Sequence, residues 1–190
     1  MQRNVARGYT LIELLVVLAM LAILASMALP AYTSVINRNQ ASTAINSLNH
    51  GLALTRSTAV HGGRRAVMCK PRDGACDHSA PWHDGWWVFQ DNNSDGHCQD
   101  LDGDHRCDGD QGRIVWRQPS LPARFSLSAS GLNASRRMVY GPLGMSVGYM
   151  TTFSLCDRHG EHRGLVVATT GRVRRANPEE LSGCDEQSGE

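Results

Sequence analysis

Near the N-terminus, residues 7–17 read RGYTLIELLVV, and this stretch decides what kind of protein the chain can form. From residue 8 to residue 37, Glu13 is the only charged residue in a largely apolar run. An isolated charge inside a bilayer costs roughly 2.5–3.5 kcal/mol, so an acid kept there requires a cationic partner. Cleavage between Gly8 and Tyr9 would give a neighbouring subunit a positive amino terminus for that role. The pattern therefore indicates assembly rather than catalysis.

Two features predict how this run meets a membrane. Arg3 and Arg7 precede it with no acid beside them, and by the positive-inside rule this places the N-terminus in the cytoplasm. At about 1.5 Å per residue, a helix from Leu14 to Asn37 would be roughly 36 Å long, which is enough to span a bilayer. We therefore expect residues ~11–36 to cross a membrane once, with the C-terminal domain on the far side.

A secretory signal peptide is the competing interpretation of the same segment. Such a peptide has a charged head, an apolar middle and a cleavage site of the small-x-small type. Ser26-Met27-Ala28 fits that site, and the mature chain would then begin at Leu29. This interpretation leaves Glu13 unexplained, because the acid would lie within the apolar middle.

Residues 8–17 resemble the class III signal that type IV pilins share with type II secretion pseudopilins, with Tyr9 in place of the usual Phe. The resemblance implies that residues 1–8 are a leader, which a prepilin peptidase removes after Gly8 before methylating the new N-terminus. It also implies that Glu13 aligns the subunit with a neighbour in the filament.

An apolar stripe predicts that the helix continues beyond the membrane. Small and aliphatic residues recur at intervals of three and four: Ala41, Ile45, Leu48 and Leu52. Pro30 should kink the helix rather than end it, because the apolar pattern resumes after it. The glycine pair Gly62-Gly63 is typical of the C-terminal end of a helix. We expect one long helix over residues 9–62.

The rest of the chain, residues 63–190, has the pattern of a β-rich domain. Segments rich in β-branched and aromatic residues alternate with Gly, Pro and Asp, which predicts an antiparallel sheet or small sandwich packed on the helix. The fold class is therefore α+β. The expected strands are Arg64–Cys69, Trp86–Gln90, Ile114–Gln118, Phe125–Ser128, Met138–Tyr140, Thr152–Cys156 and Leu165–Thr169.

All six cysteines follow the predicted membrane span, and an even number in an exported domain favours disulfides. Local spacing favours two short loops and one long one, which gives the pairs Cys69–Cys76, Cys98–Cys107 and Cys156–Cys184. A zinc site is the alternative, because His97 and His105 lie beside two of these cysteines.

The soluble part resembles the GspH/FimT group of pilin-like proteins in several stretches that occur in the expected order. These are residues 54–60 (LTRSTAV), 67–71 (VMCKP), 82–89 (WHDGWWVF), 91–93 (DNN) and 169–174 (TTGRVR). The resemblance implies a minor pilin of a type IV pilus or a minor pseudopilin of type II secretion, at or near the filament tip. Its partners would be other pilins or pseudopilins and the assembly platform.

Residues 171–175, GRVRR, carry the strongest candidate for a more specific activity. On a strand, Arg172 and Arg174 would point to one face, roughly 6.5–7 Å apart, where they can contact successive backbone phosphates. In FimT proteins of naturally competent bacteria a GRxR motif is implicated in DNA binding, and the resemblance implies the same for these two residues, with Arg175 adding to them. Three phosphate contacts predict a log-log salt slope of roughly −2.7. The alternative is a solvated strand end.

An acidic loop offers a second candidate site. Asp91, Asn93 and Asp95 are spaced like the first half of an EF-hand calcium loop, and Asp102 falls at its twelfth position. Apart from the zinc alternative, calcium is the only metal or cofactor that the sequence suggests. The alternative is an exposed loop of turns closed by a disulfide.

No catalytic residue spacing is recognisable, so we do not expect an enzyme. Trp82, Trp86 and Trp87 resemble a ligand-stacking surface, but their place in an apolar strand favours packing. The sequence therefore predicts a filament subunit that also has a candidate DNA-binding motif. The alternative is a dedicated DNA-binding minor pilin of natural transformation with no role in protein secretion.

Overall fold

The structure, a computed structural model, describes residues 10–110, 112–158 and 162–184, and the side chains of all of these except residues 27–31 and 110. The chain divides into two compact units, the first ending at Gln40 and the second beginning at Ala41.

One long helix, α1, spans Leu11–Gly62, in agreement with the predicted helix. Thr10 caps its start, since its Oγ1 accepts the Glu13 N–H at 3.3 Å and its carbonyl oxygen accepts the Leu14 N–H at 3.2 Å. The backbone stays helical through Pro30, so this residue does not end the helix.

In the first unit, the apolar side chains of the α1 segment from Leu11 to Leu24 are about half exposed or more. Considering only side chains that the structure describes, no helix combines the length and the apolarity needed to cross a membrane. The predicted span of residues 11–36 includes residues 27–31, whose side chains lie outside that set. Membrane crossing by this segment stays a prediction.

The second unit contains two main antiparallel sheets and a short ribbon. The larger sheet has the strand order β5-β6-β4-β1-β8, the smaller has β11-β10-β9-β7, and β2 pairs with β3. The strands are β1 (Arg65–Cys69), β2 (Pro71–Arg72), β3 (Ala75–Cys76), β4 (Trp86–Asp91), β5 (Arg106–Cys107), β6 (Gly112–Gln118), β7 (Phe125–Ala129), β8 (Arg137–Tyr140), β9 (Thr151–Asp157), β10 (Arg163–Val167) and β11 (Val173–Arg175).

The seven predicted strands are all present, and their ends differ from the prediction by two residues at most. The α+β class and the antiparallel arrangement are confirmed. Strands of two residues, such as β2, β3 and β5, were not predicted, because so short a segment has no alternation to recognise.

The main core lies where the C-terminal part of α1 packs against both sheets. The predicted apolar stripe is buried in it, as are the tryptophans Trp82 and Trp86, which are 2% and 0% exposed. Trp87 is also buried, on the opposite face of the larger sheet. The three tryptophans therefore pack inside the domain and do not form a stacking surface, in agreement with the favoured interpretation.

A second, smaller core covers the other face of the larger sheet. It joins alternate residues of the central strands, such as Val67 and Phe89, to the disulfide of the acidic loop, Cys98–Cys107. Strand β1 is consequently buried on both faces: Ala66 and Met68 face the main core, and Val67 faces the second.

Three disulfides close the loops that local spacing favours: Cys69–Cys76, Cys98–Cys107 and Cys156–Cys184. The last of these ties the C-terminal segment to β9, and the Ser182 N–H donates to Ser154 Oγ at 3.1 Å beside it. With Cys98 and Cys107 joined to each other, the alternative of a zinc site built on them is excluded.

Candidate nucleic-acid interface

The arginine motif lies at the edge of the smaller sheet. Strand β11 pairs only with β10 in the described part of this sheet, and Arg174 lies opposite Val166 in that antiparallel pair. Arg172 lies in the turn before the strand, while Arg174 and Arg175 lie on it. All three arginines are exposed, and Val173 between them packs against the main core. Val173 is thus partly buried between two exposed arginines, and the strand begins one residue later than Arg172.

Gly171 lets the turn before β11 approach the rest of the domain. Its φ is +77°, which places it in the left-handed region that favours glycine. A Cβ at this position would lie 2.0 Å from the carbonyl oxygen of Gly144 and 3.0 Å from the ring of Tyr140. The first residue of the motif is therefore required by backbone packing rather than by contact with a ligand.

The three arginines differ in what surrounds them. Arg174 forms a bidentate ion pair with Glu180, which lies in a short 3₁₀ turn at Pro178–Glu180. Within the described residues no ion pair involves the side chains of Arg172 or Arg175. Two arginines of the motif are thus open to solvent and one is already paired with a carboxylate.

The hydrogen bond from Arg174 to Glu180 lowers the pKa of the glutamate to about 2 and raises that of the arginine. Both groups therefore carry full charge at neutral pH. Sequence reasoning missed it, because an acid six residues after an arginine has no regular relation to it outside a helix.

Two open clefts adjoin β11. The Arg174 cleft has a volume of about 430 Å³, and the charged or imidazole side chains lining it are His162, Arg163, Arg174 and Arg175. The Arg56 cleft has a volume of about 460 Å³, and its lining includes Arg56, His61 and Arg172. Asn49 of α1 lines both clefts, so they adjoin along the helix. The motif is therefore part of a wider basic surface.

The structure does not bring the four predicted calcium ligands together. Asp91 is 1% exposed and its Oδ2 accepts the Gly96 N–H at 3.1 Å, while burial raises the pKa of its carboxyl group. Asp95 is engaged by its neighbours, accepting hydrogen bonds from the Asn93 side-chain amide and the His97 N–H, both at 2.7 Å.

Asp102 lies instead with Asp100 and Asp104, whose carboxylate oxygens are all within 4.8 Å of one another. In the described residues, Asp91 and Asp95 belong to no such group with Asp102. The EF-hand spacing therefore does not produce an EF-hand ligand set, because the loop makes separate turns around Asp91 and Asp100, the latter ion-paired with Arg117. Calcium binding at the predicted residues stays untested.

The N-terminal assembly residues fall partly outside the described structure. Gly8 and Tyr9, the predicted cleavage and methylation positions, lie before the first described residue. Glu13 is in the first turn of α1, exposed, on a helix whose neighbouring apolar side chains are exposed as well. An acid in the first turn also interacts favourably with the helix dipole, which is the structural alternative to an assembly role.

Comparisons with known proteins agree with this architecture. The chain matches the family model of the type II transport protein GspH over residues 44–171, and the prokaryotic N-terminal methylation motif over residues 3–29. Among curated proteins it is 48% identical over 74 residues to a fimbrial protein of Moraxella nonliquefaciens, covering 39% of this chain and 46% of that one. It is 36% identical over 72 residues to the type IV major fimbrial protein FimA of Dichelobacter nodosus, covering 38% and 44%. The chain thus spans less than half the length of these relatives.

Solved structures share the fold. The type IV minor pilin FimU of Pseudomonas aeruginosa superposes with a TM-score of 0.54 at 19% identity, covering 78% of this chain and 97% of that one. The minor pseudopilin EpsH of the Vibrio cholerae type 2 secretion system gives a TM-score of 0.50 at 14% identity, covering 74% and 99%. The family match extends over well more than half of the 190 residues, and the chain therefore belongs to the GspH family of type II transport proteins.

Proposed function

We propose that this protein is a minor, non-enzymatic subunit of a pilin-like filament, either a type IV pilus or a type II secretion pseudopilus. Residues 11–36 would anchor it in the inner membrane before assembly, with the C-terminal domain in the periplasm. The GspH family match, the N-terminal methylation motif and a fold shared with a minor pilin and a minor pseudopilin support this proposal.

The observation that carries it is Glu13, an exposed acid on a helix segment whose apolar side chains are also exposed. An exposed apolar surface as large as that of this helix segment normally marks an interaction site. Here lipid or the helices of neighbouring subunits would cover it. In lipid or between packed apolar helices, the carboxylate of Glu13 requires a cationic partner. After a prepilin peptidase cuts between Gly8 and Tyr9, the amino terminus of an adjacent subunit supplies one on the assembly platform.

The test is to produce the full chain carrying Glu13→Val in its native host and to measure its amount in sheared filaments. We expect Glu13→Val to accumulate in the membrane fraction and to be absent from filaments, with Glu13→Asp retained because it keeps the charge. N-terminal sequencing should give Tyr9 as the first residue. A mature chain beginning at Leu29, or normal incorporation of Glu13→Val, would contradict the proposal.

Deletion of the gene distinguishes a role in a type IV pilus from a role in a type II secretion pseudopilus. Loss of protein secretion with normal pili would assign the subunit to a pseudopilus, whereas loss of pili or of transformation with normal secretion would assign it to a type IV pilus. Of the two results, only loss of transformation with normal secretion fits the alternative from the sequence, a dedicated DNA-binding minor pilin with no role in protein secretion.

A second candidate function is DNA binding during uptake, supported by the position of Arg172 and Arg175 on exposed, unpaired surface at the edge of the sheet. Their guanidinium groups are suited to phosphate oxygens, so we expect binding through the DNA backbone and without sequence preference. Since Arg174 is paired with Glu180, two free contacts are expected instead of three. The log-log salt slope is then roughly −1.8, which corresponds to a loss of about 12-fold in affinity from about 50 to 200 mM salt.

This function is tested with the full chain in detergent, by fluorescence anisotropy of a short labelled DNA duplex at several salt concentrations. The double variant Arg172→Gln, Arg175→Gln should lose most of the salt dependence. Arg113→Gln is the matched control, because Arg113 is an exposed arginine on β6 of the other sheet. Unchanged binding by the double variant would contradict DNA binding at this surface.

A further inference from the structure

We propose that Arg56 of helix α1 is a further phosphate-binding residue, which holds the DNA backbone together with Arg172 across the Arg56 cleft. The inference rests on the DNA-binding function proposed above and extends it to a residue outside the arginine motif.

The two arginines line one cleft from two different elements. Arg56 comes from α1 and Arg172 from the turn that precedes β11, and both line the same space of about 460 Å³. Arg56 is exposed, and its Nη2 donates to the carbonyl oxygen of Thr170 at 3.5 Å, two residues before Arg172. This contact holds the Arg56 guanidinium beside the turn that carries the motif.

The charge of the cleft suits an anion. Among the described residues, its lining includes two arginines and His61 but no acidic residue, whereas the adjoining segment beyond β11 carries Glu180 against Arg174. A phosphate entering the Arg56 cleft would therefore meet cations on two sides without displacing a carboxylate. Charge-assisted hydrogen bonds of this kind are about twice as strong as neutral ones.

The lining also includes four apolar residues, Leu52, Ala53, Val60 and Val173. A deoxyribose that follows a bound phosphate can pack on such a surface, which water would otherwise cover. The cleft also adjoins the Arg174 cleft through Asn49, so a DNA strand lying along β11 would pass from Arg175 to Arg172 and Arg56.

Arg56 is exposed, which makes its role in binding separable from the stability of the fold. Among the described residues, its side chain has one hydrogen bond, to Thr170, which is at the outer limit of hydrogen-bond length. We therefore expect Arg56→Gln to leave the thermal unfolding midpoint of the chain unchanged within error, so that a change in DNA binding reports on the cleft.

The experiment measures DNA duplex binding by the full chain in detergent against salt concentration, for Arg56→Gln, Arg56→Lys, Arg172→Gln and the control Arg113→Gln. Arg56→Gln should bind roughly three- to tenfold more weakly at about 50 mM salt, with a log-log slope that is shallower by about 0.9, as expected for one lost phosphate contact. Arg56→Lys should restore most of the slope, because it keeps the charge. Arg113→Gln should match the unmodified chain.

Two results distinguish failure of this inference from failure of DNA binding itself. If Arg172→Gln weakens binding and Arg56→Gln behaves like Arg113→Gln, the role of Arg56 is wrong and DNA binding through the motif stands. If neither Arg172→Gln nor Arg56→Gln changes the affinity or the slope, both proposals are wrong.

Discussion

Glu180 holds the guanidinium of Arg174 in a fixed position. Arg174 donates from Nη1 to Glu180 Oε2 at 2.8 Å and from Nη2 to Oε1 at 2.5 Å, and Nη1 also donates to the carbonyl oxygen of Arg175 at 3.0 Å. Glu180 in turn accepts the Asn177 N–H at 2.7 Å, so the turn that carries it is itself tied to the pair. A phosphate must compete with this carboxylate to reach Arg174.

Glu180→Gln should strengthen DNA binding. The substitution removes a negative charge and frees Arg174 for a phosphate, so the log-log salt slope of the full chain should become steeper by about 0.9. Anisotropy of a labelled duplex measures both affinity and slope. Glu179→Gln is the matched control, because it removes the same charge from the neighbouring residue of the same turn. Equal effects of the two substitutions would show that only net charge matters.

The Arg174–Glu180 pair should be insensitive to pH across the neutral range. Because the pKa of Glu180 is lowered to about 2, the stability that the pair contributes is fully present above the ordinary pKa of a glutamate and is lost as pH falls toward about 2. The difference in unfolding midpoint between the unmodified chain and Glu180→Gln should thus be constant from about pH 8 to pH 5 and shrink below about pH 4.5. A difference that changes near pH 6.5 would point to a histidine instead.

Gly171→Ala should destabilise the domain more than Gly63→Ala. Both glycines have positive φ, +77° and +60°, but a Cβ at Gly63 has nothing within 4 Å, whereas one at Gly171 would overlap the carbonyl oxygen of Gly144. We expect a loss of about 1 kcal/mol in the free energy of unfolding for Gly63→Ala and roughly 2–4 kcal/mol for Gly171→Ala. Urea unfolding measures both, and equal losses would contradict the steric reason.

Removing the disulfides should affect stability in the order of their loop lengths. The pair Cys156–Cys184 is separated by 28 residues and Cys98–Cys107 by 9. Loop-closure entropy then predicts losses of about 3.6 and 2.7 kcal/mol when each pair is replaced by serines. Urea unfolding of the two double variants tests this order. The reverse order would show that contacts around Cys98–Cys107 in the second core outweigh chain entropy.

Much of the fold could be predicted because its signals are local. Strands such as Trp86–Asp91 are marked by aromatic and β-branched residues between turn residues. The helix is marked by its apolar stripe and by the glycine at its end, Gly62. The closely spaced cysteines also formed the favoured pairs, since a short loop between two cysteines limits which partners they can reach.

The candidate site could be predicted only in part, because its remaining members are brought together by tertiary structure. Arg56 contacts Thr170 from 114 residues away, and no spacing in the sequence relates them. Asp102 has the spacing of a calcium ligand relative to Asp91, yet the backbone N–H of Gly103 bonds to Asp100 and turns the loop another way. Motif spacing predicts a site only where the backbone between its members is regular.

Strand β1 limits how this domain can vary. Ala66 and Met68 face one core, while Val67 and Cys69 face the other. Both faces of the strand are therefore buried from Ala66 to Cys69, and no position after Arg65 faces solvent. A polar side chain at any of these four positions would lose its hydration without gaining a partner. Natural sequences of this domain should therefore keep apolar residues at these four positions, and libraries that randomise them should return few folded members.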